Sequence, residues 1–251
     1  MQPALILQDR MPRDQQAAAT ARLPQMAPVA PGDWLRVDSA FAAQLAEKAR
    51  LIAADRASVI AALPQAAGTV AELLEVVLAE LAARPDYAVV CNQVRRPDGV
   101  SVRVDRANPL GTLSRLCQED FCIHQMQGAE YALTAALLCF PAAWTLAEKL
   151  GHPLTRIHAP VARYDAPIAA RVQRMFAMIA PDRPLWRANL LRYDDPSLFQ
   201  PHTEAAPRPV GRPTSAYIRS ERQSIRRLPV SGAVVFSIHT TVVRNPDAAE
   251  G

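Results

Sequence analysis

Aromatic residues and glycines are scarce in this sequence. Aromatics make up 6% of its 251 residues, and 9 glycines stand against 22 prolines. Proteins that bind single-stranded nucleic acid interleave basic residues with aromatic side chains on which bases stack. The net charge is +4, but the arginines form no long basic run, so we expect no nucleic-acid partner.

Sequence motifs for nucleotide binding, zinc hydrolysis and serine hydrolysis are also missing. There is no GxGxxG and no GxxxxGKS/T, so nothing supports a nucleotide-binding fold. The five histidines form no HxxxH or HExxH pair, which argues against a zinc hydrolase. Without a GxSxG motif there is no nucleophile elbow of an α/β-hydrolase.

The cysteines and the apolar runs exclude further classes. No CxxC or CxxCH motif is present, so we expect four buried free thiols in a reducing compartment, namely Cys91, Cys117, Cys122 and Cys139. The longest apolar run, Tyr131–Trp144, is too short to cross a bilayer, and the first ten residues do not form a secretory signal. We therefore expect a cytoplasmic protein with no membrane partner.

The composition indicates a globular domain with extensions. Half of the residues are apolar and 21% are charged, which is typical of a chain that buries a substantial core. Residues 1–32 are rich in Ala, Pro and Gln, so we expect an N-terminal arm that wraps the domain or is partly disordered. One domain is predicted over residues 33–243, with a C-terminal tail over residues 244–251.

Apolar residues at helical spacing predict two helices behind the arm, over Ala40–Leu63 and Thr69–Ala83. Asp38 or Ser39 is the expected cap of the first helix, and Pro64 is expected to end it. The short loop between the two helices predicts an antiparallel helical hairpin.

The remainder of the chain mixes strands and helices, which predicts an α+β fold. The predicted strands are Tyr87–Val94, Val100–Val104, Thr112–His124, Glu130–Phe140, Leu185–Tyr193, Ser215–Leu228 and Gly232–Val243. An alanine-rich helix stays an alternative for the fourth of these. The predicted helices are Thr145–Leu150 and Asp165–Ile179; Pro109–Gly111 is expected to be a turn and Asp194–Pro213 a long loop.

The last two strands form the clearest pattern in the sequence. In the second strand Val234, Phe236, Ile238 and Val242 alternate with the polar residues Ser237, His239 and Thr241. This alternation predicts a hairpin whose second strand has a core face and a polar face. The first strand is far more polar than a structural strand needs, so we expect it to line a site.

His158 is the first candidate for chemistry. It lies in a loop just before Ala159–Pro160, where a proline restricts the preceding backbone. A neutral imidazole can supply one axial bond to a haem iron. On the residues alone, a structural histidine that bonds loop carbonyls is the favoured alternative.

Arg219 and Arg222 are further candidates, together with Glu221. Arg219 and Glu221 share a face at strand spacing, so one can orient the other. Guanidinium groups bind carboxylates in two-pronged geometry, whereas a charged edge strand that prevents aggregation is the alternative. Glu119 and Asp120 are adjacent and should point to opposite faces, so they are not expected to act as a dyad.

Several stretches, in the same order over roughly residues 33–243, resemble the haem-dependent oxidative N-demethylase family, whose members are similar to the haem subunit of dimethylamine monooxygenase. This family was formerly catalogued as a domain of unknown function. The stretches are Asp33-Trp34-Leu35, Gln118-Glu119-Asp120, Phe140-Pro141, Trp144, Lys149-Leu150-Gly151, Ile157–Val161, Trp186-Arg187-Ala188-Asn189 and Arg219–Pro229. The sequence departs from the family pattern at Leu190, where an aromatic residue is usual, and at Ala162, where proline is usual.

The resemblance implies a PAS-like antiparallel sheet with flanking helices and a bound haem b. It implies a monooxygenase that removes a methyl group from a small secondary amine with dioxygen and releases formaldehyde. Electrons would come from NADPH through a separate reductase component that carries flavin and an iron–sulfur cluster. Two alternatives stay open: a non-catalytic PAS-like haem or small-ligand binding protein, such as a sensor, and a haem-free scaffold.

The resemblance also implies roles for individual residues. His158 would be the iron ligand, and Arg219 and Arg222 would hold the haem propionates or form the wall of the pocket. Glu221 would attract a cationic amine or relay protons. The cavity would be completed from the neighbouring strand by Arg187 and Asn189.

Overall fold

The computed structural model describes residues 5–20, 26–160, 165–209 and 211–248. Within them the fold is α+β, as predicted, with all strand pairs antiparallel. The helices are α1 (Arg13–Thr20), α2 (Phe41–Ala54), α3 (Arg56–Val59), α4 (Ala67–Ala82), α5 (Pro109–Leu116), α6 (Leu146–Lys149), α7 (Leu154–Ile157) and α8 (Ala166–Met178). The strands are β1 (Ala27–Pro28), β2 (Ile60–Ala62), β3 (Ala88–Val90), β4 (Gln93–Arg95), β5 (Ser101–Arg103), β6 (Asp120–Gln127), β7 (Glu130–Leu137), β8 (Leu185–Tyr193), β9 (Tyr217–Arg227) and β10 (Val234–Arg244).

Seven strands form the main sheet, in the order β1-β8-β9-β10-β6-β7-β2, and β3, β4 and β5 form a small second sheet. The predicted hairpin is confirmed, because β9 and β10 pair along their whole length. Residues that lie opposite each other in an antiparallel pair point to the same side of a sheet. The pairings therefore assign each side chain of the main sheet to one of two faces.

We call one side of the main sheet the site face. It carries Arg187 and Asn189 of β8, Glu221 and Gln223 of β9, and Phe236 of β10. The helices α6, α7 and α8 contribute apolar residues to the clusters on this side. This covering is incomplete, because Gln223 and Phe236 stay half-buried.

The opposite side is the core face, and the largest hydrophobic cluster lies against it. Val235 and Phe121 of the sheet share that cluster with Leu45 of α2, Leu73 of α4 and Leu113 of α5. Burial of such side chains stabilises by roughly 2 kcal/mol each. The site face is thereby supported by a large apolar core behind it.

Two predicted elements near the core face need correction. The first long helix ends at Ala54, because Asp55 has extended backbone and its side chain accepts a hydrogen bond from the Ala57 main-chain N–H to start α3. The predicted strand Thr112–His124 begins as helix α5, and the predicted turn Pro109–Gly111 is the start of that helix. Asn108 caps it and Pro109 occupies the first turn, a local signal that the apolar run concealed.

Helix α5 packs against both α2 and α4. Along the chain, α2 is separated from α4 by α3, β2 and a short 3-10 helix (Pro64–Ala66). The apolar stripe predicted for α4 is buried. Ala40 precedes α2 without a side-chain cap, although Asp38 accepts the Ala40 main-chain N–H. Three predicted buried thiols are buried, whereas Cys91 is exposed.

The predicted N-terminal arm contains ordered elements in the part that the structure describes. Ile6 and Gln8 are buried, and the Gln8 main chain and side chain both bond to Val242 of β10. Helix α1 packs on β8, and β1 adds a short edge to the sheet. Residues 1–4 and 21–25 of the arm lie outside the described residues, and the predicted domain boundaries stay predictions.

Helix α8 was predicted correctly from its periodicity and its start. Asp165 is the N-cap, with its side chain accepting the Ile168 main-chain N–H at 2.9 Å. Phe176 is buried against Tyr131 and the imidazole of His124. In the described residues no helix is long and apolar enough to cross a membrane.

Candidate functional site

The candidate site lies on the site face, where polar residues of β8 and β9 meet half-buried apolar side chains. Phe236 of β10, Ile157 of α7 and Trp144 pack against one apolar cluster on this face. All three are half-buried, so part of their surface stays open to solvent. The site therefore combines an apolar wall with a row of polar groups, as ligand sites commonly do.

His158 comes to this site through two short helices. Gly151, with φ of +80°, ends the turn after α6, in a conformation that favours glycine. Helix α7 then delivers His158 at its C-cap, where the Leu154 carbonyl accepts both the His158 main-chain N–H at 3.1 Å and a bond from Nδ1 at 2.8 Å. A carbonyl only accepts, so Nδ1 carries the proton and Nε2 has the lone pair.

The His158 imidazole is neutral at pH 7. Burial lowers its pKa, and the positive charges of Arg187 and Lys149 lower it further, against an opposing effect of the Leu154 carbonyl. A neutral ring whose proton is held by a main-chain carbonyl is the usual state of a histidine that binds a metal. A bond to a loop carbonyl was the expectation for a purely structural histidine. The same bond also orients the imidazole of a histidine that binds iron.

Glu221 is held firmly at the floor of the site. Only 8% of the residue is exposed. Its Oε2 accepts from Asn189 Nδ2 at 3.1 Å and from Gln223 Nε2 at 3.0 Å, and its main-chain N–H donates to Asn189 Oδ1 at 2.9 Å. Oε1 lies 3.6 Å from Nη2 of Arg219, too long for a good hydrogen bond.

Arg187 lies beside this carboxylate at the open end of the site. Its Nε donates to Gln223 Oε1 at 2.9 Å. The side chain is exposed, yet burial by surrounding atoms lowers the pKa of Arg187, with Glu221 opposing the effect.

Arg219 lies beneath the site, where its two terminal nitrogens donate to main-chain carbonyls. It is 2% exposed. Its Nη1 donates to the Leu198 carbonyl at 3.0 Å and its Nη2 to the Phe140 carbonyl at 2.6 Å. These contacts connect β9 to the segments around Leu198 and Phe140. They also hold the Arg219 guanidinium next to Glu221.

Arg222 lies on the core face, so the structure does not bring it together with His158, Arg187 or Glu221. Its Nη2 forms an ion pair with Asp33 at 3.0 Å, and its guanidinium lies over the ring of Trp186. The alternation of side chains along a strand explains the separation, because Arg222 is one residue from Glu221.

A second polar cluster surrounds His239 on the core face. The buried imidazole bonds through Nε2 to Asp38 Oδ2 at 2.9 Å and through Nδ1 to Glu119 Oε1 at 3.1 Å. Burial lowers the pKa of His239, but the two carboxylates outweigh burial and raise it to about 9. His239 is therefore an imidazolium at neutral pH. It adjoins a cavity of about 390 Å³ that Arg36 and Arg84 also line.

Glu119 and Asp120 point to opposite sides, in agreement with the prediction. Glu119 bonds to His239, whereas Asp120 forms an ion pair with Lys48. Lys48 and Asp120 are almost completely buried. Both pairs connect the sheet to the preceding helical segment. The His239 cluster does so on the core face, whereas Asp120 lies opposite Ile238, on the side of the site face.

The site thus brings together His158, Arg187, Asn189 and Glu221, and it adds Gln223, which the sequence analysis did not identify. The spacing of two residues from Glu221 could have indicated Gln223, since such residues share a face of a strand. Val161 and Ala162, which belong to the loop motif around His158, lie outside the described residues.

The residues present fit a haem held by one imidazole. The donor is a neutral histidine with its proton on Nδ1, the neighbouring wall is apolar, and Arg187 offers a guanidinium for a carboxylate. Among the described residues no group of three or more His, Cys, Asp or Glu is placed to hold a metal ion.

Comparison with models of known protein families finds one that matches most of the chain. The family model described as "Haem-dependent oxidative N-demethylase, alpha subunit-like" matches residues 25–249. The match covers most of the chain and every residue of the site, and it confirms the resemblance that the sequence motifs indicated. No curated protein matches the sequence.

Proposed function

Because the chain belongs to the family of haem-dependent oxidative N-demethylase alpha-subunit-like proteins, we propose that it is the haem-binding subunit of a monooxygenase that demethylates a small secondary amine. The observation that carries the proposal is the neutral His158, whose Nδ1 proton is held by the Leu154 carbonyl at 2.8 Å beside an apolar wall. We propose a PAS-like sheet carrying haem b, in a cytoplasmic protein.

We propose a different role for each charged or metal-binding residue of the site. His158 would bind the haem iron through Nε2, and Arg187 would bind a carboxylate at the open end. When bound, haem supplies the iron at which dioxygen is used to oxidise the methyl group. Glu221 would hold the ammonium form of the amine, since Asn189 and Gln223 fix its carboxylate and burial strengthens its attraction for a cation.

Electrons have to come from outside this chain. The sequence contains no nucleotide-binding or cysteine-cluster motif, and the family name denotes an alpha subunit. We propose a separate reductase component that takes electrons from NADPH and passes them through flavin and an iron–sulfur cluster.

Replacing His158 with alanine is expected to weaken haem binding and to shift the Soret band, because the variant loses the only proposed imidazole ligand. Absorption spectra of the oxidised and reduced protein, recorded after haem reconstitution, would measure both effects. The matched control is His152→Ala, which removes an exposed histidine six residues away.

An unchanged spectrum in His158→Ala would remove the ligand assignment. A wild-type protein that binds no haem after reconstitution would remove the monooxygenase function itself. A protein that binds haem but releases no formaldehyde with amine, dioxygen and a competent reductase would be the non-catalytic binding protein.

Replacing Glu221 with glutamine is expected to raise the KM for a cationic amine about tenfold, the effect of losing roughly 1.4 kcal/mol of charge attraction. Glutamine keeps an oxygen for Asn189 and Gln223 and removes only the charge. Steady-state formaldehyde release measures KM, and Glu75→Gln, at an exposed carboxylate of α4, is the control. An unchanged KM would exclude Glu221 as the amine site.

A further inference from the structure

Three side chains of the site form a continuous row across β8 and β9. Arg187 Nε donates to Gln223 Oε1 at 2.9 Å, and Gln223 Nε2 donates to Glu221 Oε2 at 3.0 Å. The register places Arg187 opposite Gln223, and Asn189, which also bonds to Glu221, opposite Glu221. The row therefore has a positive end, a neutral amide and a negative end.

The chemistry of the row determines how the amide is oriented. A guanidinium only donates and a carboxylate only accepts. The amide oxygen of Gln223 must face Arg187, and its nitrogen must face Glu221. Gln223 thus keeps apart two opposite charges that would otherwise form an ion pair, at a separation of at most about 8 Å for two hydrogen bonds and one amide group.

Both charged ends keep binding capacity for a ligand. Arg187 commits Nε to Gln223, which leaves its two terminal nitrogens, the pair that forms a fork with a carboxylate. Glu221 commits Oε2 to two amides, whereas Oε1 has the long 3.6 Å contact to Arg219. Two opposite charges held apart at a fixed separation are complementary to a ligand that carries two opposite charges.

We propose that the row binds a zwitterion: a small N-methylated amine that also carries a carboxylate, such as an N-methyl amino acid. Its ammonium would lie against Glu221 and its carboxylate against Arg187. The two charges of such a molecule and two hydrogen bonds span about 8 Å, which matches the row. The choice of an N-methylated amine rests on the proposed function; the recognition of a zwitterion rests on the row alone.

Other charged or titratable groups facing the row come from each neighbouring element. Those that interact with Glu221 or Arg187 are Arg219 of β9, Tyr193 of β8, Cys122 of β6 and His158 after α7. Burial raises the pKa of both Tyr193 and Cys122 and lowers that of His158, so all three are neutral at pH 7. The two oppositely charged side chains facing the ligand are therefore Arg187 and Glu221, and Arg219 donates to main-chain carbonyls below them.

Binding measurements on the haem-free protein test the zwitterion proposal without any catalytic turnover. Calorimetric titration at pH 7 would compare N-methylglycine with dimethylammonium and with acetate, each of which carries one of its two charged groups. We expect N-methylglycine to bind at least tenfold more tightly than either. Arg187→Met and Glu221→Gln should each abolish this preference.

Arg192→Met is the matched control, because it removes an arginine from the same strand whose side chain lies on the other face. It should retain the preference. Dimethylammonium binding as tightly as N-methylglycine, or a preference that survives in Arg187→Met, would overturn the proposal. Circular dichroism of each variant shows whether it is folded.

The carboxylate that binds Arg187 could instead be a haem propionate. Repeating the titration after haem loading distinguishes the two sources: a preference for N-methylglycine that persists supports the proposal, and one that disappears overturns it in favour of a propionate site. Absence of haem binding, measured separately in the Soret region, would contradict the proposed function. A preference for N-methylglycine in the haem-free protein would still support zwitterion binding by the row.

Discussion

Replacing His239 with glutamine is expected to lower the free energy of unfolding by about 3–5 kcal/mol, the effect of removing one partner from a buried ionic pair. His239 is 2% exposed and lies between Asp38 and Glu119. Glutamine could donate to one carboxylate, but it carries no charge. Glu119, also 2% exposed, would stay buried without a cation.

The pH dependence of stability identifies the charge on His239. The unfolded pKa is about 6.5, and the carboxylates raise the folded pKa to about 9. A raised pKa means that the stabilisation is fully present below the unfolded pKa and is lost as the pH rises through the folded pKa. Wild-type protein should therefore lose on the order of 3 kcal/mol between pH 6.5 and pH 9.

Urea unfolding at pH 6.5 and at pH 9, followed by circular dichroism, measures both effects. His239→Gln should lack this loss between the two pH values, and His202→Gln, in the long loop after β8, is the control that should keep it. Equal stability of wild type and His239→Gln at pH 6.5 would mean that the imidazole contributes no charge to the cluster.

Replacing Lys48 with methionine is expected to destabilise by a similar amount, about 3–5 kcal/mol. Lys48 Nζ forms an ion pair with Asp120 Oδ1 at 2.9 Å and donates to the Glu119 carbonyl at 2.7 Å. Burial lowers the pKa of Lys48, but Asp120 outweighs burial and the pKa is raised, so the ammonium is charged. The methionine variant would leave Asp120 as a buried, uncompensated anion.

A double-mutant cycle separates this charge effect from packing. Lys48→Met combined with Asp120→Asn should recover a large part of the loss, because the pair then leaves no uncompensated charge. Asparagine keeps an oxygen for the Phe140 main-chain N–H, which Asp120 Oδ2 accepts at 2.6 Å. Arg106→Met, which breaks an exposed ion pair with Glu75, should cost less than about 1 kcal/mol. Additive losses in the double variant would contradict the buried-pair explanation.

These two clusters also hold the sheet against the helical segment. His239 and its two carboxylates do so on the core face, behind the site, and Lys48 joins α2 to Asp120 at the start of β6. The row of Arg187, Gln223 and Glu221 is therefore built on strands whose other side is packed. A rigid layer of this kind keeps a ligand-binding row in register.

Several features could be predicted from the sequence because they depend on neighbours along the chain. The period-two alternation of Val234, Phe236 and Ile238 predicted the last strand, and apolar residues at helical spacing predicted the helix over Asp165–Ile179. The family motifs indicated haem-dependent chemistry and selected His158. The Asn108–Pro109 signal for α5 was present as well, but the apolar run that followed it was equally typical of a strand.

Only the tertiary structure decided which side chains meet. Arg222 and Glu221 are adjacent in sequence, yet one bonds to Asp33 on the core face and the other forms the row with Gln223. The alternation placed His239 on a polar face of the last strand. The fold buries its charged imidazole between two carboxylates that lie 120 and 201 residues away, beside a cavity. Local periodicity determines strands, helices and their caps; the pairing of strands and the charge of a buried group depend on residues that the fold brings together from distant parts of the chain.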